Sequence, residues 1–163
     1  MPHHRLEGAE ALSLTKAADT LIEECRMVLP GVQALFGFQL IAVFSERFDT
    51  ALTASEKLLH LGSIVLVGLA IALIMTPAAY HRVTSPDRVS AHFIRLSTRL
   101  LMAGMPILMV ALTMDAYLVG RLIGGSTAAA ATAAVLLAAF AALWIALPVA
   151  SRLLRLDPSS RDA

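Results

Sequence analysis

Four long apolar blocks constrain the fold of this chain more than any other feature of its sequence. They cover residues 28–44, 58–79, 100–119 and 127–150, and each approaches the ~20 residues that an α-helix needs to cross ~30 Å of hydrocarbon. Hydrophobic residues make up 58% of the chain and charged residues only 15%, whereas soluble domains are roughly half apolar and a quarter charged. The sequence therefore predicts an all-α protein, a bundle of four transmembrane helices.

The predicted membrane domain covers residues 14–156, in one bundle. Residues 1–13 have neither the apolar run nor the cleavage site of a signal peptide. We expect them to form a disordered cytoplasmic N-terminus, and we expect residues 157–163 to form a short polar tail. If both termini are cytoplasmic, the inner segments carry ten Lys or Arg residues and the outer loops three. This bias predicts an orientation with the N-terminus and the C-terminus inside.

The first helix is predicted to begin as a charged amphipathic helix near Leu14 and to continue into the first span. Gln33 requires a hydrogen-bond partner because an unmatched amide in hydrocarbon is costly, and Gln39, on another side of the helix, requires its own. A polar stripe roughly 100° wide runs along one face of this helix. Its members are Lys16, Asp19, Glu23, Arg26, Pro30, Gln33 and Gly37.

A cationic stripe precedes the third span. Arg88, His92, Arg95 and Arg99 have i, i+4, i+7, i+11 spacing, which places them on one face of a helix. They can attract anionic lipid headgroups, with about 1 kcal/mol per basic residue. Alternatively, they can form an ion pair with the acidic residues of the first helix.

Three prolines lie inside predicted helices, at Pro30, Pro77 and Pro106. Because proline lacks a backbone N–H and its ring collides with the preceding turn, each is expected to kink its helix. Thr53-Ala54-Ser55-Glu56 has the capping-box pattern, which predicts Thr53 as the N-cap of the helix that contains the second span.

Two titratable residues belong to the predicted outer half of the membrane. Asp115 is the candidate for an ionisable residue inside the membrane; the alternative is a solvated acid or one paired with Arg121. His60 can be read as a proton-titrating residue or as an interfacial histidine in contact with water. Cys25 is the single cysteine, so the sequence predicts no internal disulfide and no metal site.

Three segments of the chain resemble a known family. They are Glu24 to Phe36 (ECRMVLPGVQALF), Phe44 to Phe48 (FSERF) and Thr76 to Arg82 (TPAAYHR), followed by Arg95 and Arg99. They resemble small four-helix membrane proteins of bacteria that are grouped as a family of unknown function, some of which carry an automatic label as sodium:proton antiporters. Thr76 stands where that family often has Ala.

The resemblance implies a multi-pass protein of the bacterial cytoplasmic membrane, and it brings no catalytic residues. It also suggests that polar residues of the first three helices meet at the cytoplasmic side. This predicted inner cluster comprises Glu23, Glu24, Arg26, Gln33, His81, Arg82, Arg95 and Arg99.

Two functions are compatible with these patterns. The first is translocation of ions or protons, by an oligomer because four short helices leave little room for a pathway. The second is a structural or accessory role, in which the basic cytoplasmic face binds anionic lipid or a partner subunit. Nucleotide-binding, zinc-protease and nucleophile-elbow motifs do not occur in the sequence. We therefore expect no enzyme, no cofactor and no nucleic-acid partner.

Overall fold

The computed structural model describes residues 3–84 and 90–156, with side chains over 14–83 and 90–153. No strand occurs in these ranges, and the all-α class is confirmed. The helices are α1 (His3–Ala42), α2 (Glu46–Ala51), α3 (Ala54–Thr84), α4 (Ala91–Phe140), a π-helical segment (Ala141–Ala146) and α5 (Leu147–Leu156).

Three helical stretches within the described residues are long and apolar enough to cross a membrane: Leu14–Ala42, Ala54–Val83 and Ala91–Leu153. The third has 63 residues and, at 1.5 Å per residue, would be roughly 95 Å long if straight. Its backbone leaves the helical conformation at Gly125, where φ is 77°. Glycine adopts such a positive φ without steric cost.

The chain folds back on itself at Gly125, so that α4 forms a hairpin with a first arm over residues 91–124 and a second arm from residue 126 onward. An ideal Cβ atom on Gly120 would lie 2.7 Å from Cα of Ala129 across the turn. Further along, Trp144 packs against the core that Val67 and Leu108 help to form. The third and fourth predicted spans are the two arms of this hairpin.

The centre of the bundle is an apolar cluster contributed by α1, α3 and the first arm of α4. Its buried members are Val32, Val67, Ala70, Leu108 and Ala111. The most extensive contact is between α3 and α4, where small side chains allow helix backbones to approach closely. Large apolar side chains such as Phe38, Ile123 and Val135 are mostly exposed. Such a surface fits lipid better than water.

The polar stripe of α1 lies on the exposed side of the helix, with Arg26 bordering a groove towards α3. Six of its members, Lys16 to Gln33, are exposed, and Gly37 is half-buried. The opposite side of the same helix contributes the buried residues Ala18, Val32 and Gln39. Gln33 and Gln39 are six residues apart, which corresponds to a rotation of roughly 240° around a helix. One amide therefore faces outward and the other faces the core.

The prolines predicted to mark kinks lie inside unbroken helices: Pro30 in α1, Pro77 in α3 and Pro106 in the first arm of α4. α1 extends back to His3, into the segment for which the sequence predicts disorder. The predicted polar tail, 157–163, and the backbone around Arg88 fall outside the described residues.

We define two ends of the bundle for the description that follows. The basic end is where α3 ends and α4 begins, and it carries the exposed side chains of Arg82, Arg95 and Arg99. The opposite end is where α1 ends and α3 begins. Under the predicted orientation, the basic end is cytoplasmic.

Candidate functional site

Four polar side chains from three helices meet inside the bundle, towards the opposite end. We call them the Asp115 cluster: Gln39 of α1, His60 and Ser63 of α3, and Asp115 of the first arm of α4. Gln39, His60 and Ser63 are 4%, 6% and 0% exposed, and the Asp115 side chain is 17% exposed. Buried polar groups of this kind require partners.

The Asp115 carboxylate accepts two short hydrogen bonds. Gln39 Nε2 donates to Oδ2 at 2.6 Å, and Ser63 Oγ lies 2.7 Å from Oδ1. Gln39 Nε2 also lies 3.2 Å from Ser63 Oγ, which closes the cluster between α1 and α3. The carboxylate is thus held by one donor from each of two neighbouring helices.

The hydrogen-bond geometry of His60 assigns its ring protons. Nε2 lies 3.0 Å from the backbone carbonyl oxygen of Gln39, and because a carbonyl can only accept, Nε2 carries a hydrogen. Nδ1 faces Asp115 Oδ1 at 3.7 Å. In the neutral ring this Nδ1 bears a lone pair. A further proton would convert it to a cation beside the carboxylate.

Local sequence signals position the α3 side of the cluster. Thr53 and Glu56 form the predicted capping box: Thr53 N donates to Glu56 Oε2 at 2.9 Å, and Glu56 N donates to Thr53 Oγ1 at 3.3 Å. The predicted capping box is confirmed. It begins α3 so that His60 and Ser63, three residues apart, lie about one turn apart on the same face of the helix. Phe48 of α2 packs edge-on against the His60 ring, with centroids 5.0 Å apart.

Arg121 is not the partner of Asp115. Its Nε lies 2.5 Å from Glu56 Oε1, although Arg121 and Asp115 are close in sequence and share α4. Six residues rotate a side chain by roughly 240° around a helix, so the two point to different neighbours. The Arg-paired reading of Asp115 is therefore wrong. Among the described side chains, His60 is the ionisable partner within 4 Å of Asp115.

The Glu56–Arg121 pair supplies a prediction about stability. E56Q keeps the side-chain shape needed for the capping box but removes the negative charge, and we expect it to lower the midpoint of thermal unfolding in detergent. R121Q should do the same, and E56Q/R121Q should lower the midpoint by less than the sum because the pair is lost only once. Strictly additive shifts would show that the pair contributes nothing.

An apolar recess of about 240 Å³ adjoins the Asp115 cluster. Gln39, His60 and Asp115 line it, together with apolar residues such as Phe48 and Leu118. Gln39 Oε1 is buried and has no hydrogen-bond partner among the described residues. The cluster therefore contains a buried hydrogen-bond acceptor without a described partner, next to a cavity large enough for a small molecule.

The predicted inner cluster is only partly assembled. Arg26, His81 and Arg82 line one groove of about 470 Å³ between α1 and α3 at the basic end, together with Pro77. The remaining members are exposed on outward faces, and none of the described ion pairs joins them. These members are Glu23, Glu24, Gln33, Arg95 and Arg99.

Ser63 is the one member of the Asp115 cluster that the sequence did not single out. A serine in an apolar helix is weak evidence for a polar site, and only its position one turn after His60 pointed to a shared role. Asp115, His60 and the unsatisfied amide of Gln39 were each recognised separately. Their convergence depends on pairings 24, 52 and 76 residues apart in sequence.

Comparisons with known proteins identify a family but no activity. No curated protein and no solved structure matches the chain. The model of a family of unknown function, DUF6328, matches residues 10–148. That match covers most of the chain, including every helix that contributes to the Asp115 cluster. The protein is therefore a member of the DUF6328 family, and its predicted resemblance to a family of unknown function is confirmed.

Proposed function

We propose that this protein translocates protons or small cations across a membrane, with the His60–Asp115 pair as its proton-binding site. The observation that supports this proposal is a largely buried carboxylate within the helical bundle, 17% exposed, whose ionisable neighbour is a histidine. Ionisable residues inside membrane proteins are costly and commonly mark ion and proton pathways. The site differs from the predicted inner cluster, since it lies towards the opposite end.

The arrangement provides two resting positions for one proton. With Nε2 of His60 donating to the carbonyl of Gln39, an added proton can reside on Nδ1 or on the facing carboxylate oxygen of Asp115. Either state makes the pair neutral overall, which lowers the cost of holding it in a low-dielectric bundle. Release of the proton leaves a net negative charge that a cation could balance.

The recess beside the pair offers space through which such a site could exchange its proton or cation. A single protomer supplies too few helices to enclose a continuous pathway, so we place the pathway in an oligomer. Under the predicted orientation, exchange at the Asp115 cluster would occur from the outer side, and the basic end would face the cytoplasm.

Reconstitution into liposomes tests the proposal. Wild-type protein should dissipate an imposed pH gradient faster than empty vesicles do, as followed by a pH-sensitive dye trapped inside. D115N should reduce the flux by about tenfold or more, comparable to the loss of a positioned proton-transfer group. H60Q should reduce it as well, because the second resting position of the proton is removed.

Asp49 provides the matched control. Its carboxylate is exposed and bonds Lys57 Nζ at 2.6 Å, and this hydrogen bond holds the pKa of Asp49 below its ordinary value. It should therefore stay ionised throughout the assay, and D49N should leave the flux unchanged. A wild-type protein that moves neither protons nor cations faster than empty vesicles contradicts the proposal.

An accessory role is the second candidate, favoured by the exposed arginines of the basic end. Arg95 and Arg99 make none of the described ion pairs and are available to lipid headgroups or to a partner subunit. A subunit that copurifies in fixed ratio with wild-type protein, and is lost from R95A/R99A, would support this role. Flux from the purified protein alone would favour translocation instead.

A further inference from the structure

A groove at the basic end combines an apolar wall with a cationic rim. It encloses about 470 Å³ between α1, the end of α3 and the start of α4. Leu21, Leu29 and Ile74 belong to its wall, and Arg26 and Arg82 are at its rim with exposed side chains. Apolar lining over most of the surface, with a few polar groups at one place, is typical of small-molecule sites.

The charges of the groove are of one sign. Arg26, His81 and Arg82 line it, and none of its described lining residues is acidic. Neither arginine takes part in an ion pair among the described residues. The ring of His81 lies 5.2 Å from that of the buried Phe93, which fixes this side of the rim against α4. Within the described part of the groove, both guanidinium groups are therefore free of an ion pair, although Asp19 and Glu23 lie near Arg26 on the outer face of α1.

This combination fits an amphiphile with an anionic head. Arginine presents planar pairs of N–H donors that match phosphate oxygens, and an acyl chain can cover the apolar wall and remove it from water or detergent. We propose that the groove binds a single anionic phospholipid, with its phosphate between Arg26 and Arg82 and one chain along the wall. The proposal is independent of proton translocation at the Asp115 cluster.

Such binding differs from general attraction between a basic surface and anionic headgroups. Attraction by a surface depends on the number of exposed cations near it, so Arg95 and Arg99 should contribute as much as Arg26 and Arg82. A bound lipid depends on the two arginines at the groove, since only these adjoin the apolar wall. The two pairs of arginines therefore form matched variants with equal changes of charge.

Cys25 is a built-in reporter for this groove. It is the single cysteine of the chain, it lines the groove and it is partly buried. The experiment measures the rate at which a maleimide labels Cys25 in the full-length protein in neutral detergent micelles. For each variant the labelling rate with phosphatidylglycerol is divided by the rate without it. Any effect of the substitution on the intrinsic reactivity of the Cys25 thiol then cancels.

We expect phosphatidylglycerol to slow labelling of the wild type, and phosphatidylcholine at the same concentration to do so far less. R26Q/R82Q should need about tenfold more phosphatidylglycerol for the same protection, because two charge-assisted hydrogen bonds to the phosphate are lost. R95Q/R99Q should require about the same amount as the wild type. Glycerol phosphate, which has the head without the chains, should give no protection.

Three results would overturn the proposal: equal protection by phosphatidylcholine, protection by glycerol phosphate, or an equal loss of protection in both arginine variants. If R26Q/R82Q does not fold, Ala78 offers a second variant, since it lines the groove with an exposed side chain. A78F fills the groove without changing charge and should abolish protection by phosphatidylglycerol. Full protection in A78F would equally overturn the proposal.

Discussion

G120A is expected to destabilise the protein by about 1–3 kcal/mol, the cost of adding a methyl group where there is no room. The new Cβ would lie 2.7 Å from Cα of Ala129 and 3.0 Å from its backbone nitrogen. Both are backbone atoms of the other arm of the α4 hairpin, so no side-chain rotation relieves the collision. The arms must separate, and the packing of the second arm against the core is weakened.

The midpoint of thermal unfolding in detergent measures this effect. Trp144, the single tryptophan, lies on the second arm and packs against the core, so its fluorescence reports separation of the arms. G31A is the matched control, because a Cβ there would meet nothing within 4 Å. Alanine is also the better helix former by about 0.5–1 kcal/mol, so G31A should unfold at the same temperature or higher. If G120A matched G31A, the close approach of the two arms would be refuted.

D115A is expected to lower the stability of the protein by about 1–3 kcal/mol, which is typical when a buried hydrogen-bonding group loses its partner. The change removes the carboxylate that accepts from Gln39 Nε2 and Ser63 Oγ. Ser63 Oγ can still donate to the backbone carbonyl of His60 at 2.8 Å, so the group left without an acceptor is one N–H of the Gln39 amide. D115N should cost less, since its amide oxygen can still accept one of the two hydrogen bonds. The same thermal unfolding measurement in detergent compares the variants.

A combined variant separates lost hydrogen bonds from lost packing. Q39L/S63A/D115L replaces the two donors and their acceptor together, and His60 keeps its hydrogen bond to the backbone carbonyl of residue 39. Replacing a whole buried polar network by apolar side chains is often neutral or stabilising, and we expect this variant to unfold at a higher temperature than D115A. If it unfolded at a lower temperature than D115A, unsatisfied hydrogen bonds would not explain the loss of stability in D115A. Flux through the combined variant should be absent whatever its stability.

The features that could be predicted from the sequence are those fixed by neighbouring residues. Membrane-spanning length follows from a count of consecutive apolar residues, and the capping box at Thr53 and Glu56 follows from a spacing of three. Both are local, and both were predicted correctly. The need of Gln39 for a buried partner was also predictable, since an amide in hydrocarbon must be satisfied. The identity of that partner was not.

The pairing of polar residues across helices depends on which way each side chain points once the helices pack, and the sequence does not show this. Asp115 and Arg121 are near one another along the chain, yet they point in different directions around α4, and Arg121 pairs with Glu56 of α3. The polar stripe of α1 suggested an inner cluster, but packing placed the opposite side of that helix against the bundle. Gln33 therefore faces outward, and only Arg26, His81 and Arg82 of the predicted cluster share a groove.

The sequence by itself determined that this chain is an all-α protein with helices long and apolar enough to cross a membrane, because local composition and periodicity decide that much. The tertiary structure decided which polar residues meet. Packing against α3 positions the first arm of α4, and α1 and α3 supply the hydrogen-bond donors that Asp115 contacts in the bundle. The free energy of such contacts depends on the distance and burial of groups far apart in sequence, and these quantities exist only once the helices have packed.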